Sequence, residues 1–272
     1  MRSCPLPTFL VDSQSWLLIQ AGKPPEDIRV IAGDLPQWFL ATVGCRPETM
    51  DIVKVYEGEP LPEPGQHLAA IITGSWSVVT DQHPWSEAIG QVVTQGMPLM
   101  GVCYGHQLMA HALEGVVDYH HDGREMGSLE IEQLAIAEPD AWLAGCPPRF
   151  QAHLTHLQTI LRLLNGARAL ARSAHDPHQI VRYSPSAVSV QFHPEFTSEV
   201  MAACINARAQ VLRAEGLDPA AILQGVSPTP TPLMLLRRFI ETHAGTVSAG
   251  NSAASLNVAM GNHPELPQGT AK

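Results

Sequence analysis

Positive charge is scarce in this chain. Sixteen Lys and Arg stand against 26 Asp and Glu, a formal net charge of −10, and no Lys/Arg-rich run occurs anywhere. That balance argues against the nucleic-acid backbone as the main partner and favours a small-molecule substrate. Paired cysteines are missing too. The five (Cys4, Cys45, Cys103, Cys146, Cys204) are odd in number, scattered, and nowhere form CxxC, so neither a disulfide framework nor a zinc ribbon is indicated. Reduced thiols in a cytoplasmic protein are the simplest expectation. No apolar stretch approaches the roughly 18 residues needed to span a bilayer, and MRSCPLPTFLVDSQSW lacks the pattern of a secretory signal, so no membrane association is expected.

What the chain does contain is alternation. Short segments rich in leucine and β-branched residues read as buried strands: Trp16–Ile19, Ile52–Val55, Leu68–Ile72, Leu99–Val102 and Val188–Gln191. Helical spacing lies between them at Leu35–Val43, Pro84–Gln95 and His106–Leu113. Alternating strand and helix predict an α/β protein with a mostly parallel central sheet. Around Gly123–Gln133 and Ala152–Arg182, shorter pieces with Gly, Asn-Gly and Asp-Pro breaks predict an antiparallel excursion. Beyond it a helix is expected, with Thr197 or Ser198 as N-cap and Val200, Ala203, Ala207, Val211 and Leu212 along one face. Asp218-Pro219 should start a short helix, and SPTPTP should form a stiff connector into Leu233–Thr242. From Ala244 onward the chain is poor in large apolar residues and reads as a tail that is mobile or only loosely docked.

One stretch concentrates the chemistry. PLMGVCYGHQ is an apolar strand that stops at Cys103 between two glycines and runs at once into a helix, the form of a nucleophile elbow. A helix N-terminus beside the thiol favours thiolate and offers N–H groups to an oxyanion. Taken by itself, this stretch favours an inert core thiol, since a lone cysteine after an apolar strand is more often that than a nucleophile. SVQFHPEF supplies what a nucleophile would need: His193, following a strand, as base, and Glu195 to fix the imidazole. Two histidine groups, His120-His121-Asp122 and His153 with His156, invite a metal reading. Adjacent histidines on a strand point apart and i, i+3 spacing in a loop is weak, so neither metal nor cofactor is expected.

GVCYGHQ (Gly101–Gln107) together with FHPE (Phe192–Glu195), about ninety residues apart, resembles the class I glutamine amidotransferase family. The nearest likeness within it is to the amidotransferase domain of GMP synthase and to small stand-alone relatives of that domain. The resemblance implies a flavodoxin-like three-layer α/β sandwich. Residues 1–215 would form the amidotransferase domain, 216–243 a C-terminal helical extension of it, and 244–272 a flexible tail. It further implies that Cys103 attacks the glutamine side-chain amide to give a γ-glutamyl thioester, His193 moves the protons and Glu195 orients His193. The Gly74 and Tyr104 N–H groups would form the oxyanion hole. Glutamine would be held by Gln107, by Arg124, Met126 and Gly127 of REMG, and by Thr155 and His156 of THLQTI. Gln158 stands where the family has an acid, and Ser75 where a second glycine is common. The expected length leaves no room for an ATP-pyrophosphatase domain, so the ammonia released would pass to a separate synthetase subunit or be the end product. The rival expectations are a γ-glutamyl peptide hydrolase with the same triad and a non-catalytic glutamine-binding protein.

Overall fold

A computed structural model describes residues 15–44, 47–63, 65–93, 96–135 and 138–244. In chain order its strands are β1 (Trp16–Gln20), β2 (Met50–Lys54), β3 (Ala70–Ile72), β4 (Leu99–Val102), β5 (Val116–Tyr119), β6 (Glu125–Gln133), β7 (Arg149–His156), β8 (Gln158–Arg162), β9 (Arg168–Arg172), β10 (Ile180–Ser184) and β11 (Ala187–Val190). The helices are α1 (Glu26–Ala32), α2 (Leu35–Val43), α3 (Pro84–Val93), α4 (Tyr104–Ala112), α5 (Ser198–Ala207), α6 (Ala209–Ala214), α7 (Pro219–Gln224) and α8 (Pro230–Ala244). Nine strands make one sheet in the order β2-β1-β3-β4-β11-β10-β9-β6-β7, while β5 and β8 pair separately. The run β2-β1-β3-β4-β11 is parallel, and from β11 onward every pairing is antiparallel. The molecule is the expected mixed α/β sandwich around a large, mostly parallel central sheet, with the antiparallel excursion forming one wing of that sheet.

Period-2 alternation explains the three layers. On β1, Trp16 and Leu18 join a core with Phe39 and Val43 of α2 and with Leu235, Leu236, Phe239 and Ile240 of α8. Leu17 and Ile19 face the other way, onto Ile89 and Val92 of α3 and Leu108 and Met109 of α4. Both faces are covered, which is why the parallel strands read as continuous apolar runs. The four α8 side chains each contribute about 1.5–3 kcal/mol by burial, enough to anchor residues 230–244 on the domain rather than leave them as an appendage. A third cluster, including Ile28, Leu35, Trp38, Phe196, Val200 and Leu212, fills the end of the sheet between α1, α2, α5 and α6.

The caps follow the sequence. Asp34 and Gln37 form a reciprocal capping box on α2, and the Thr197 hydroxyl accepts from Val200 N at 3.3 Å to start α5. Several ends differ from expectation by one or two residues, β2, β3 and α4 among them, and two differences are larger. The helix expected to continue through Leu212 breaks at Arg208 (φ −96°, ψ 5°), dividing α5 from α6. SPTPTP does not stay extended throughout: α8 begins at Pro230, because prolines in a first turn lack only N–H groups that have no helical partner. The expected end of the Pro84–Gln95 helix, and the tail beyond Ala244, lie outside the described residues. Among the described residues no helix is long and apolar enough to cross a membrane.

Candidate active site

β3, β4 and β11 are parallel neighbours, with Ile72 beside Gly101 and Val190 beside Val102. Their carboxyl ends therefore converge, and the chain places Gly74, Cys103 and His193 just beyond them. Cys103 adopts φ 51°, ψ −100°, the left-handed side of the map that a non-glycine residue rarely takes. The strain sits on the cysteine, and the glycines around it serve close approach. A Cβ on Gly101 would fall 2.5 Å from Gly105 O, and one on Gly105 would fall 2.5 Å from Ile72 O. Only glycine lets α4 turn back this tightly over β4 and β3. The Cys103 N–H donates to Val190 O at 2.9 Å, tying the elbow to β11.

Cys103, His193 and Glu195 are all buried. His193 Nδ1 lies 2.8 Å from Glu195 Oε1, so the ring donates there, and Phe196 stacks on its face at 4.0 Å between centroids. Gly74 is wedged against the pair: a Cβ there would be 3.0 Å from His193 Cε1 and 3.6 Å from Cys103 Cβ. Burial alone pushes the Cys103 thiol up, but the charges of His193 and His156 outweigh it and hold the thiol below its usual range, while His193 Nε2 itself is buried without a hydrogen-bond partner among the described residues. Burial likewise favours neutral His193, yet the Glu195 and Cys103 charges raise it well above an ordinary histidine. Both directions favour the charged form of each group. The Gly74 and Tyr104 N–H groups have no hydrogen-bond partner among the described residues.

The cleft at Cys103 is lined by Leu35, Gly74, Ser75, Trp76, Thr155, His193, Phe196, Cys204 and Arg208, and its open space of about 20 Å³ holds little more than a water molecule.

The other residues singled out by sequence are placed differently. Gln107 is buried, donating its amide to Gln158 O (2.7 Å) and Gln191 Oε1 (2.9 Å), so it pins α4 to the sheet. Arg124 makes a bidentate pair with Glu215 at 2.8 and 2.9 Å, joining the start of β6 to the end of α6. Met126 is in the apolar cluster with α5, and Gly127 (φ 126°) approaches Ile222 of α7. Thr155 lines the cleft, and its hydroxyl is buried without a partner. Gln158, at the position of the family's acid, accepts from Val79 N (3.0 Å) and donates to Thr80 Oγ1 (2.6 Å), holding the loop after β3.

His156 is the most informative of these. Its Nε2 faces Glu125 Oε2 at 2.9 Å and its Nδ1 faces Gln158 O at 2.9 Å. Both partners present acceptor oxygens, an arrangement that favours the doubly protonated ring. Burial opposes that charge, but the Glu125 hydrogen bond and the charges of Asp176, Glu125 and Cys103 raise its pKa overall. The carboxylate is steadied in turn by Gln179 Nε2 at 2.8 Å. His120, Asp122 and His175 bring ligand atoms within 4.8 Å of one another, a grouping that sequence adjacency hides because His175 comes from a distant loop. Each imidazole has one nitrogen committed locally, His120 Nδ1 to Asp122 N and His175 Nε2 to Gly123 O, and none of the three lines the Cys103 cleft.

Fold and site together define a class: an α/β sandwich holding a buried thiol, imidazole and carboxylate at the ends of adjacent parallel strands. Residues 59–208 match the family model described as glutamine amidotransferase class-I, and the chain belongs to that family. Among curated proteins it is 35% identical over 144 residues to a glutamine-hydrolyzing GMP synthase of Aeropyrum pernix, covering 51% of this chain and 25% of that protein. It is 23% identical over 201 residues to gamma-glutamyl peptidase 4 of Arabidopsis thaliana, covering 71% of this chain and 80% of that one. The chain thus spans about a quarter of the length of the GMP synthase it matches. A crystal structure of a glutamine amidotransferase from Thermotoga maritima shares the fold with a TM-score of 0.68 at 20% identity, over 86% of this chain and 100% of that one.

Proposed function

We propose that this protein hydrolyses the γ-amide of glutamine through Cys103, His193 and Glu195. The observation that carries the reading is the buried thiol at φ 51°, set at the ends of adjacent parallel strands beside an imidazole whose Nδ1 is fixed by Glu195. The Cys103 thiolate adds to the amide carbon, forming a C–S bond while the carbonyl electrons move to oxygen. The Gly74 and Tyr104 N–H groups receive that oxyanion. Collapse breaks the C–N bond, and His193 gives its proton to the departing nitrogen, releasing ammonia and leaving a γ-glutamyl thioester. Neutral His193 then takes a proton from water as the water oxygen attacks the thioester. Loss of the thiolate yields glutamate and restores the imidazolium. The sum is glutamine and water to glutamate and ammonia, with no cofactor. The ammonia would serve a separate synthetase subunit or be released.

The likeness to a gamma-glutamyl peptidase over 71% of the chain favours a second reading, in which the leaving group is the amine of a γ-glutamyl peptide. The same steps apply, with the peptide amine in place of ammonia. A non-catalytic glutamine binder is less well supported, since it would not need a strained thiol or an oriented imidazole. Turnover with glutamine and a panel of γ-glutamyl peptides, comparing the wild type with Cys103→Ala, tests both. Activity on one substrate class, lost in the variant, identifies the leaving group. An unchanged rate in Cys103→Ala would end the proposal.

A further inference from the structure

Arg208 is the anomaly in the cleft. It stands at the break between α5 and α6, half-buried, and lines the same cavity as Cys103. Its guanidinium makes no hydrogen bond or ion pair with any described residue. Other arginines shielded from solvent find partners, Arg124 with Glu215 and Arg182 with Asp140, while Arg162 and Arg213, which lack one, are exposed. The carboxylate that could neutralise Arg208 is Glu215, and Arg124 occupies both of its oxygens. In a chain with ten excess negative charges, a partly desolvated cation left unpaired beside a reactive thiol is not what charge balance alone would produce.

Two further polar groups share the cleft and lack partners. Trp76 Nε1 and Thr155 Oγ1 are both buried without a hydrogen bond. A guanidinium and an indole N–H are donors only, and a hydroxyl donates or accepts. A neutral amide would leave most of these donors unmet, whereas a carboxylate offers two oxygens with several lone pairs and matches the planar fork of an arginine. Burial and the nearby Arg124 charge act against the Arg208 charge and outweigh the attraction of Cys204, Cys103 and Glu215, a cost that a bound anion would relieve.

We infer that Arg208, with the Trp76 N–H and the Thr155 hydroxyl, binds the α-carboxylate of the substrate's γ-glutamyl group, so that the protein selects γ-glutamyl compounds bearing a free α-carboxylate. This rests on the reading of Cys103 as nucleophile and adds what that reading lacks, the group that fixes which acyl chain is presented to it. α-Esters, and amides without the carboxylate, would fit the thiol but not the cation.

The test is covalent labelling of Cys103 in the full chain, located by peptide mass, with three electrophiles: iodoacetamide, a diazoketone analogue of glutamine, and the α-methyl ester of that analogue. The wild type should react about 10- to 100-fold faster with the acid than with the ester, each rate being taken relative to iodoacetamide. Arg208→Gln should abolish that preference by slowing the acid alone, and Arg208→Lys, which keeps the charge without the fork, should retain part of it. No preference in the wild type, or an equal slowing of acid and ester in Arg208→Gln, would overturn the inference while leaving the nucleophile in place. Failure of Cys103 to react with any of the three would instead overturn the catalytic reading and this inference with it.

Discussion

The two halves of the sheet build the site in different ways. On the parallel side, backbone geometry does the positioning: the strained Cys103, the missing Cβ atoms of Gly101 and Gly105, and three strand ends brought into line by register. On the antiparallel wing, side-chain networks do it. His156 on β7 is held by Glu125 on β6 and by Gln158, and its charge reaches Cys103 across the sheet. Backbone devices leave little freedom in where the thiol sits. Networks set the electrostatics around it and can be altered one side chain at a time.

The comparison predicts graded losses. The largest stability effect should come from the wing: His156→Gln leaves Glu125 buried without its cation and should cost about 3–5 kcal/mol in denaturant unfolding. The pH dependence identifies the cause. Because His156 is raised above its unfolded value, its contribution is full below about pH 6.5 and is lost as pH rises through the folded value. The gap between wild type and variant should therefore be wider at pH 6 than at high pH, and a pH-independent gap would mean lost packing rather than lost charge. Gly101→Ala should cost less, about 1–3 kcal/mol, because the new Cβ meets the Gly105 backbone and Met109 Sδ and pushes α4 off β4. It should nevertheless slow alkylation of Cys103 more than its stability loss suggests, as the elbow itself moves. Normal labelling in a destabilised Gly101→Ala would show that the elbow does not depend on that close contact. The smallest effect belongs to Arg124→Ala. Its pair with Glu215 is partly exposed, so about 1 kcal/mol is expected, with Cys103 labelling by iodoacetamide nearly unchanged.

The same contrast explains what could be read from the chain. The elbow and the His-Pro-Glu turn are local, so GVCYGHQ and FHPE announced the thiol, imidazole and carboxylate that the fold gathers at neighbouring strand ends. The three layers were legible for a similar reason, because β1, β3, β4 and β11 are apolar on both faces. Substrate-side residues depend on long-range placement. Arg124 looked available until Glu215 came within reach, and Gln107 until Gln158 and Gln191 did. Arg208 gave no signal at all: INARAQVLR contains neither Gly nor Pro, so nothing marked the helix break that sets it at the cleft. Glu125 and Trp76 acquire meaning only from partners, or the lack of them, in three dimensions.

The central claim is that Cys103 is held as a thiolate by His193, and the pH profile of its alkylation by iodoacetamide tests this most directly. Cys204 supplies an internal contrast, since burial pushes its thiol up to about 12. The account predicts that Cys103 reacts as thiolate to a lower pH than an ordinary cysteine, and that His193→Gln moves the midpoint upward. A wild-type profile that follows free cysteine, with no shift in His193→Gln, would contradict it.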